Sequence, residues 1–251
     1  MGWGMYTDSF TKPPWKGIIE AFPIDGAKGF ERANELLFLK IENKSFELSQ
    51  FTHLEKQHEA LNPLRWRHYI VYWSALSAAK STIGDRKCIV EMGTCDGLTA
   101  YFAMTALSDL GVDYKCFLYD AWEAMKGDHL YEGEKSKEGM YGYLDISTTK
   151  RNLGDFSNNT FYKKGYIPDT LNTSPSPELI DWLHIDLNSA SPTLSSLEYF
   201  FPIMKRGGVF LLDDYASHDH EDTKRVVDSF FFNKNVNLLQ LPTGQAIVFK
   251  L

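Results

Sequence analysis

The chain has 251 residues, 43% apolar and 14% aromatic, enough to fill one large α/β domain with an extension. Basic residues number 26 and acidic residues 33, a net charge of −7, so nothing in the balance suggests a nucleic-acid partner. Cys88, Cys95 and Cys116 form no CxxC pair, the N-terminus lacks a basic-then-apolar leader, and no apolar run reaches the ~18 residues of a membrane helix. The expectation is a reducing, cytoplasmic setting with no disulfide framework, zinc site or membrane partner.

Residues 1–60 read as an N-terminal extension and 61–251 as the main domain. Met1 to Gly29 carries Trp3, Tyr6, Phe10, Trp15 and Phe22, whereas disordered tails are poor in aromatics. This segment is expected to pack on its own domain, on a sister subunit in a homo-oligomer, or at a substrate mouth. Phe30 to Ile41 reads as a short helix with Leu36, Leu37 and Leu39 on its apolar side. Asn62-Pro63 supplies an N-cap and a first-turn proline, and Leu64, His68, Val71, Ala75 and Ala79 then recur at helical spacing. On that stripe His68 reads as a packed histidine.

The stretch Lys87 to Thr99 organises the rest. Cys88 to Val90 is a short buried strand, Glu91 follows, and Gly93 and Gly97 lead into a helix over Leu98–Leu107. Glycines permit close backbone approach, and a helix start presents free N–H groups to polar ligands. The dinucleotide fingerprint G-x-G-x-x-G is not met, because Cys95 stands where its second glycine belongs.

Lys115 to Tyr119 is the second strand, and Asp120 at its end is placed to accept bonds from ribose hydroxyls or to cap a helix. Residues 122–143 form a glycine-rich, charged loop, read either as a mobile lid or as a surface insertion. A helix over Asp145–Leu153 ends at Gly154. Strands follow at Thr160–Lys164 and Asp181–Ile185, then a helix from Ser191-Pro192 to Gly207-Gly208, a strand at Val209–Leu212, a helix around Val226–Phe231 and a closing hairpin. This alternation predicts an α/β fold: a parallel sheet covered on both faces, with the hairpin adding an antiparallel strand at one edge.

Asp186 and the pair Asp213-Asp214 close the fourth and fifth strands. On neighbouring strands the three carboxylates converge, and either a hard divalent cation such as Mg²⁺ resolves their repulsion or they serve as helix and loop caps.

The pattern E-x-G-x-x-x-G-x-T over Glu91–Thr99 resembles motif I of class I S-adenosylmethionine (SAM) methyltransferases. Gly165-Tyr-Ile-Pro-Asp-Thr-Leu171, and the run from His184 through Asp186, Thr193, Pro202, Gly207-Gly208 and Asp213-Asp214-Tyr215, resemble segments of the macrocin O-methyltransferase (TylF/MycF-like) family. Tyr119 to Met125 resembles a third segment more loosely. The resemblance spans roughly residues 86–232. It implies a Rossmann-like seven-stranded class I methyltransferase sheet, SAM and Mg²⁺ as cofactors, and methylation of sugar hydroxyls. By position, it implies that Glu91, Gly93, Thr94, Gly97, Thr99, Asp120, Ala121, Gly165, Tyr166 and Asp186 border SAM, and that Asp186, Asp213 and Asp214 hold the metal. Where that family has a second acid and then a tyrosine after the first ligand, this chain has Asn188 and Ala190.

The expected activity is therefore SAM-dependent O-methylation of a saccharide or other small-molecule hydroxyl. Asp186, His218 and His220 are the candidates for general base, Asp186 and His218 being placed first for catalysis. The alternatives are a catechol-type phenol O-methyltransferase and a non-catalytic SAM-binding partner subunit.

Overall fold

The computed structural model describes residues 27–51 and 53–251. The aromatic segment before Ala27 lies outside the described residues. Helices α1 (Ala27–Glu42) and α2 (Leu54–Ser81) precede the first strand, β1 (Arg86–Met92). Then come α3 (Leu98–Leu110), β2 (Asp113–Asp120), two short 3₁₀ turns within residues 127–137, and α4 (Ile146–Asn152). A further 3₁₀ turn (Gly154–Asn159) leads to β3 (Thr160–Lys164), β4 (Ile180–Ile185), α5 (Ala190–Ile203), β5 (Met204–Leu212), α6 (Glu221–Phe231), β6 (Val236–Gln240) and β7 (Ala246–Lys250).

The seven strands lie in the order β3-β2-β1-β4-β5-β7-β6. All neighbours from β3 to β5 run parallel, and β7 is antiparallel to both β5 and β6. Strand order reverses between β1 and β4, and open α/β sheets bind ligands beyond the carboxyl ends at such a switch point. Alternate residues of each strand feed opposite cores. Ile89, Leu118, Trp182 and Leu211 pack with α1, α2 and α3, while Val90, Phe117, Leu183 and Phe210 pack with α5 and α6. Among the described residues no helix is long and apolar enough to cross a membrane.

Three sequence expectations need correction. Helix α2 starts at Leu54 and contains Pro63, rather than starting at Asn62-Pro63. Its early turns are fastened by Gln57, whose Oε1 accepts from Leu48 N at 3.1 Å and whose Nε2 donates to Phe51 O at 3.3 Å. Those contacts outweigh the single backbone donor that Pro63 lacks. The apolar stripe of α1 is Phe30, Ala33, Leu37 and Ile41, while Leu36 and Leu39 are 44% and 55% exposed. The stripe follows i, i+3, i+7 and i+11 spacing, and Leu36 and Leu39 fall off it. Finally, β5 begins at Met204, so Gly207-Gly208 lies inside a strand. The pairing with β4 slips there, and Gly207 takes φ +78° at the irregularity, a bulge that only glycine adopts without strain.

Candidate functional site

The carboxyl ends of β1 to β5 open into a cavity of about 1450 Å³. Gly93, Thr94, Thr99, Asp120, Ala121, Gly165, Tyr166, Asp186 and Asp213 all line it. At Gly93 the backbone has φ +85°, and a Cβ there would sit 1.8 Å from the Asp186 carbonyl oxygen, so the turn closes against β4 only with glycine. Asp120 fastens the loop from the next strand. Its Oδ2 accepts from Cys95 N and its Oδ1 from Trp122 N, both at 2.7 Å. Burial raises its pKa, and the two N–H donors partly offset that. Each oxygen keeps a second lone pair for a ligand.

Two residues expected beside SAM are not part of the cavity lining. Gly97 is the left-handed N-cap of α3 and packs on Leu153, outside the lining. The Glu91 side chain points beneath the floor, where Oε1 meets His184 Nδ1 at 2.9 Å, and the lining does not include it. His184 Nε2 in turn lies 3.7 Å from Asp213 Oδ1, so a buried Glu–His–Asp chain links the cofactor strand to the acidic cluster.

The structure brings Asp186, Asp213 and Asp214 together: one ligand atom from each lies within 4.8 Å of the others. Asp213 forms an ion pair with Arg67 of α2 and accepts from Gln245 Nε2 at 2.7 Å. Asp214 accepts from Asn188 N at 3.1 Å through Oδ2. Its buried Oδ1 accepts no hydrogen bond and lies 3.5 Å from His220 Nε2. Asp186 Oδ1 accepts from Asn188 Nδ2 at 3.2 Å. Burial, and then Asp214, push the Asp186 carboxyl up to about 7. His218 is exposed and does not line the cavity, and its carbonyl accepts from His220 Nδ1 at 2.8 Å. Its side chain is not brought to the cluster; His220 is the histidine beside it.

Arg67 and Gln245 sit far from the strand-end acids in sequence, whereas His220 follows Asp214 closely. His220 alone was visible as a base candidate. Arg67 brings a cation among acids that were expected to converge, and its one guanidinium offsets only one of three carboxylates. Opposite, residues 123–144 wall the cavity with Met125, Lys126, His129, Leu130, Tyr141 and Tyr143. Tyr166 holds that wall: its hydroxyl donates to Ala124 O at 2.7 Å, His129 stacks at 5.2 Å between ring centroids, and Lys126 Nζ lies 4.0 Å from the ring centre. Next to Arg67, His68 stacks on Phe102 and burial lowers its pKa to about 3, as fits a packed neutral histidine.

A glycine turn feeding a helix, an acid ending the second strand, and a seven-stranded sheet whose last strand is antiparallel define a class I SAM-dependent methyltransferase. The match of residues 90–215, half of the chain, to the methyltransferase domain model places the protein in that family. No curated protein matches the chain. Its fold is similar to that of the O-methyltransferase NovP, with a TM-score of 0.64 at 19% identity over 73% of this chain and 79% of that one. The calicheamicin methyltransferase CalS11 aligns at TM-score 0.55 and 13% identity, over 92% and 96% of the two chains. SAH-bound PaMTH1 of Podospora anserina aligns at 0.52 and 12%, over 94% and 93%.

Proposed function

We propose that the protein is a Mg²⁺-dependent O-methyltransferase that methylates a hydroxyl of a sugar or a similar small molecule. The observation that carries this reading is the convergence of Asp186, Asp213 and Asp214 within 4.8 Å at the ends of adjacent strands. Two of the three line the same cavity as the motif I loop. The donor set fits a hard dication: all three ligands are carboxylates, Asp214 Oδ1 is buried without a hydrogen bond, and a single guanidinium, that of Arg67, stands against three acids.

When bound, SAM supplies an electrophilic methyl group, and a cation at the three acids lowers the pKa of an acceptor hydroxyl. The chain's own residues position and deprotonate. Gly93, Thr94, Asp120 and Tyr166 shape the cofactor end of the cavity. Asp186, the cluster carboxylate that borders the cavity next to the cofactor loop, is the first candidate for proton acceptor, and His220, beside Asp214, is the second. The sugar class is supported by the resemblance over Gly165–Leu171, whose first three residues border the cavity, and O-methylation by the fold neighbour NovP.

The test is a methyl-transfer assay with glycosides and catechols as acceptors. Activity on glycosides should vanish in EDTA and return with added Mg²⁺. Full turnover in EDTA would remove the metal from the reading, and turnover of catechols alone would move the acceptor class to phenols.

A further inference from the structure

Glu134 and Lys137 belong to the charged wall segment, where both look like surface residues, yet they are only 1% and 8% exposed. Burying a charged side chain costs several kcal/mol unless it is well bonded. Each bonds main-chain atoms of one short stretch, 186–190. Glu134 Oε1 accepts from Ala190 N at 2.8 Å, and Oε2 accepts from Tyr131 N at 3.1 Å within its own segment. Lys137 Nζ donates to Asn188 O at 2.7 Å.

Asn188 is the residue between them and the acids. It sits at φ +56°, a left-handed conformation that asparagine tolerates better than most residues. In that conformation its N–H reaches Asp214 and its side-chain amide reaches Asp186, so one residue cross-links two members of the cluster. Its third polar group, the carbonyl, is the one Lys137 holds. The stretch is therefore pinned from one side by the wall and from the other by the acids.

We propose that Glu134 and Lys137 are positioning residues: docking of the wall segment on Asn188 and Ala190 sets the spacing of Asp186 and Asp214. Cavity wall and cation site then assemble as one unit, which rests on the metal reading above. A tether that merely covered the cavity would leave cation affinity untouched.

The probe is Mn²⁺ alone, its free concentration followed by electron paramagnetic resonance, with SAM affinity measured by calorimetry on the same samples. Lys137→Met and Glu134→Gln should weaken Mn²⁺ by about 10–100-fold, as outer-shell changes do, with SAM affinity within about twofold of wild type. Lys137→Arg, which keeps a donor, should recover most of the loss. Wild-type Mn²⁺ affinity in Lys137→Met and Glu134→Gln would overturn the proposal. No Mn²⁺ binding by the wild type would sink the metal reading instead, and amide exchange then decides the positioning without any metal. The Asn188 amide, which bonds Asp214 and not Lys137, should exchange at least about tenfold faster in Lys137→Met; an unchanged rate would overturn the proposal.

Discussion

The two halves of the sheet edge are built differently. At the cofactor half, the motif I turn is held by partners from the neighbouring strand: Gly93 N donates to Tyr119 O at 2.8 Å, and Asp120 takes the amides of Cys95 and Trp122. At the acidic half, the carboxylates and the Asn188 stretch that cross-links them depend on groups that arrive from elsewhere. Arg67 comes from α2, Gln245 from the closing hairpin, His220 from the stretch before α6, and Glu134 and Lys137 from the wall. The cofactor loop needs hydrogen-bond partners for its main chain, which β2, Trp122, Thr149 and Asn152 supply, and no counter-charge. A site that gathers three like charges needs counter-charge and hydrogen-bond donors, and the chain draws them from four separate places.

The largest expected effect tests that dependence. Arg67→Met should destabilise the fold by about 3–5 kcal/mol in urea unfolding with EDTA present, because it leaves the buried Asp213 carboxylate without its guanidinium. Saturating Mg²⁺ should recover part of the loss, since a cation binding only the native state stabilises it. A loss under about 1 kcal/mol, unaffected by Mg²⁺, would mean that the acidic half does not rely on its remote cation.

This contrast also explains what was legible in the sequence. Strand ends and helix starts are marked by local signals: glycines, an acid after an apolar run, a capping residue. Gly93, Asp120, Asp186 and the Asp213-Asp214 pair were read from such signals, and so was the sheet with its closing hairpin. Arg67 carried no local mark, being one polar position on a long helix. Glu134 and Lys137 looked like solvated charges because burial of a lysine is decided by a partner 51 residues away, Asn188. Asp96 likewise gave no sign that it would bind the amide and hydroxyl of Ser49, at 2.8 and 2.6 Å, and so pin the segment before α2 under the cofactor loop. Glu91 was expected at the cofactor and instead faces His184, since alternation along β1 sends it under the floor.

A second, intermediate effect is the pH dependence of the acidic half. With the native carboxyl of Asp186 at about 7 against 3.8 for the free group, the folded state binds more protons than the unfolded state between these values. Its contribution to stability is thus fully present below about pH 4 and is lost as pH rises through 7. In EDTA, wild-type Tm should fall over this window by several degrees more than that of Asp186→Asn, which cannot titrate. Added Mg²⁺ should flatten the difference by favouring the carboxylate. Parallel curves for the two proteins in EDTA would show that the acid is not held protonated by its neighbours.

The smallest effect belongs to the cofactor half. Asp120→Ala removes acceptors from two loop amides and from any ribose hydroxyl, and charge-assisted hydrogen bonds of this kind contribute about 1.5–3 kcal/mol. SAM affinity should therefore fall roughly 10- to 100-fold, read by calorimetry. Adenosine separates the two ways in which this can happen, because it keeps the ribose and lacks the methionine part. If Asp120 accepts from the ribose, adenosine should lose as much affinity as SAM. If Asp120 acts only by holding Cys95 and Trp122 in place, SAM should suffer and adenosine should not. Asp120→Asn sharpens the distinction, since its one remaining carbonyl oxygen can satisfy a loop amide or a hydroxyl but not both pairs of donors. Full SAM affinity in Asp120→Ala would take the acid out of cofactor binding altogether, and the cofactor half would then owe its shape to glycine and to the main chain of β2.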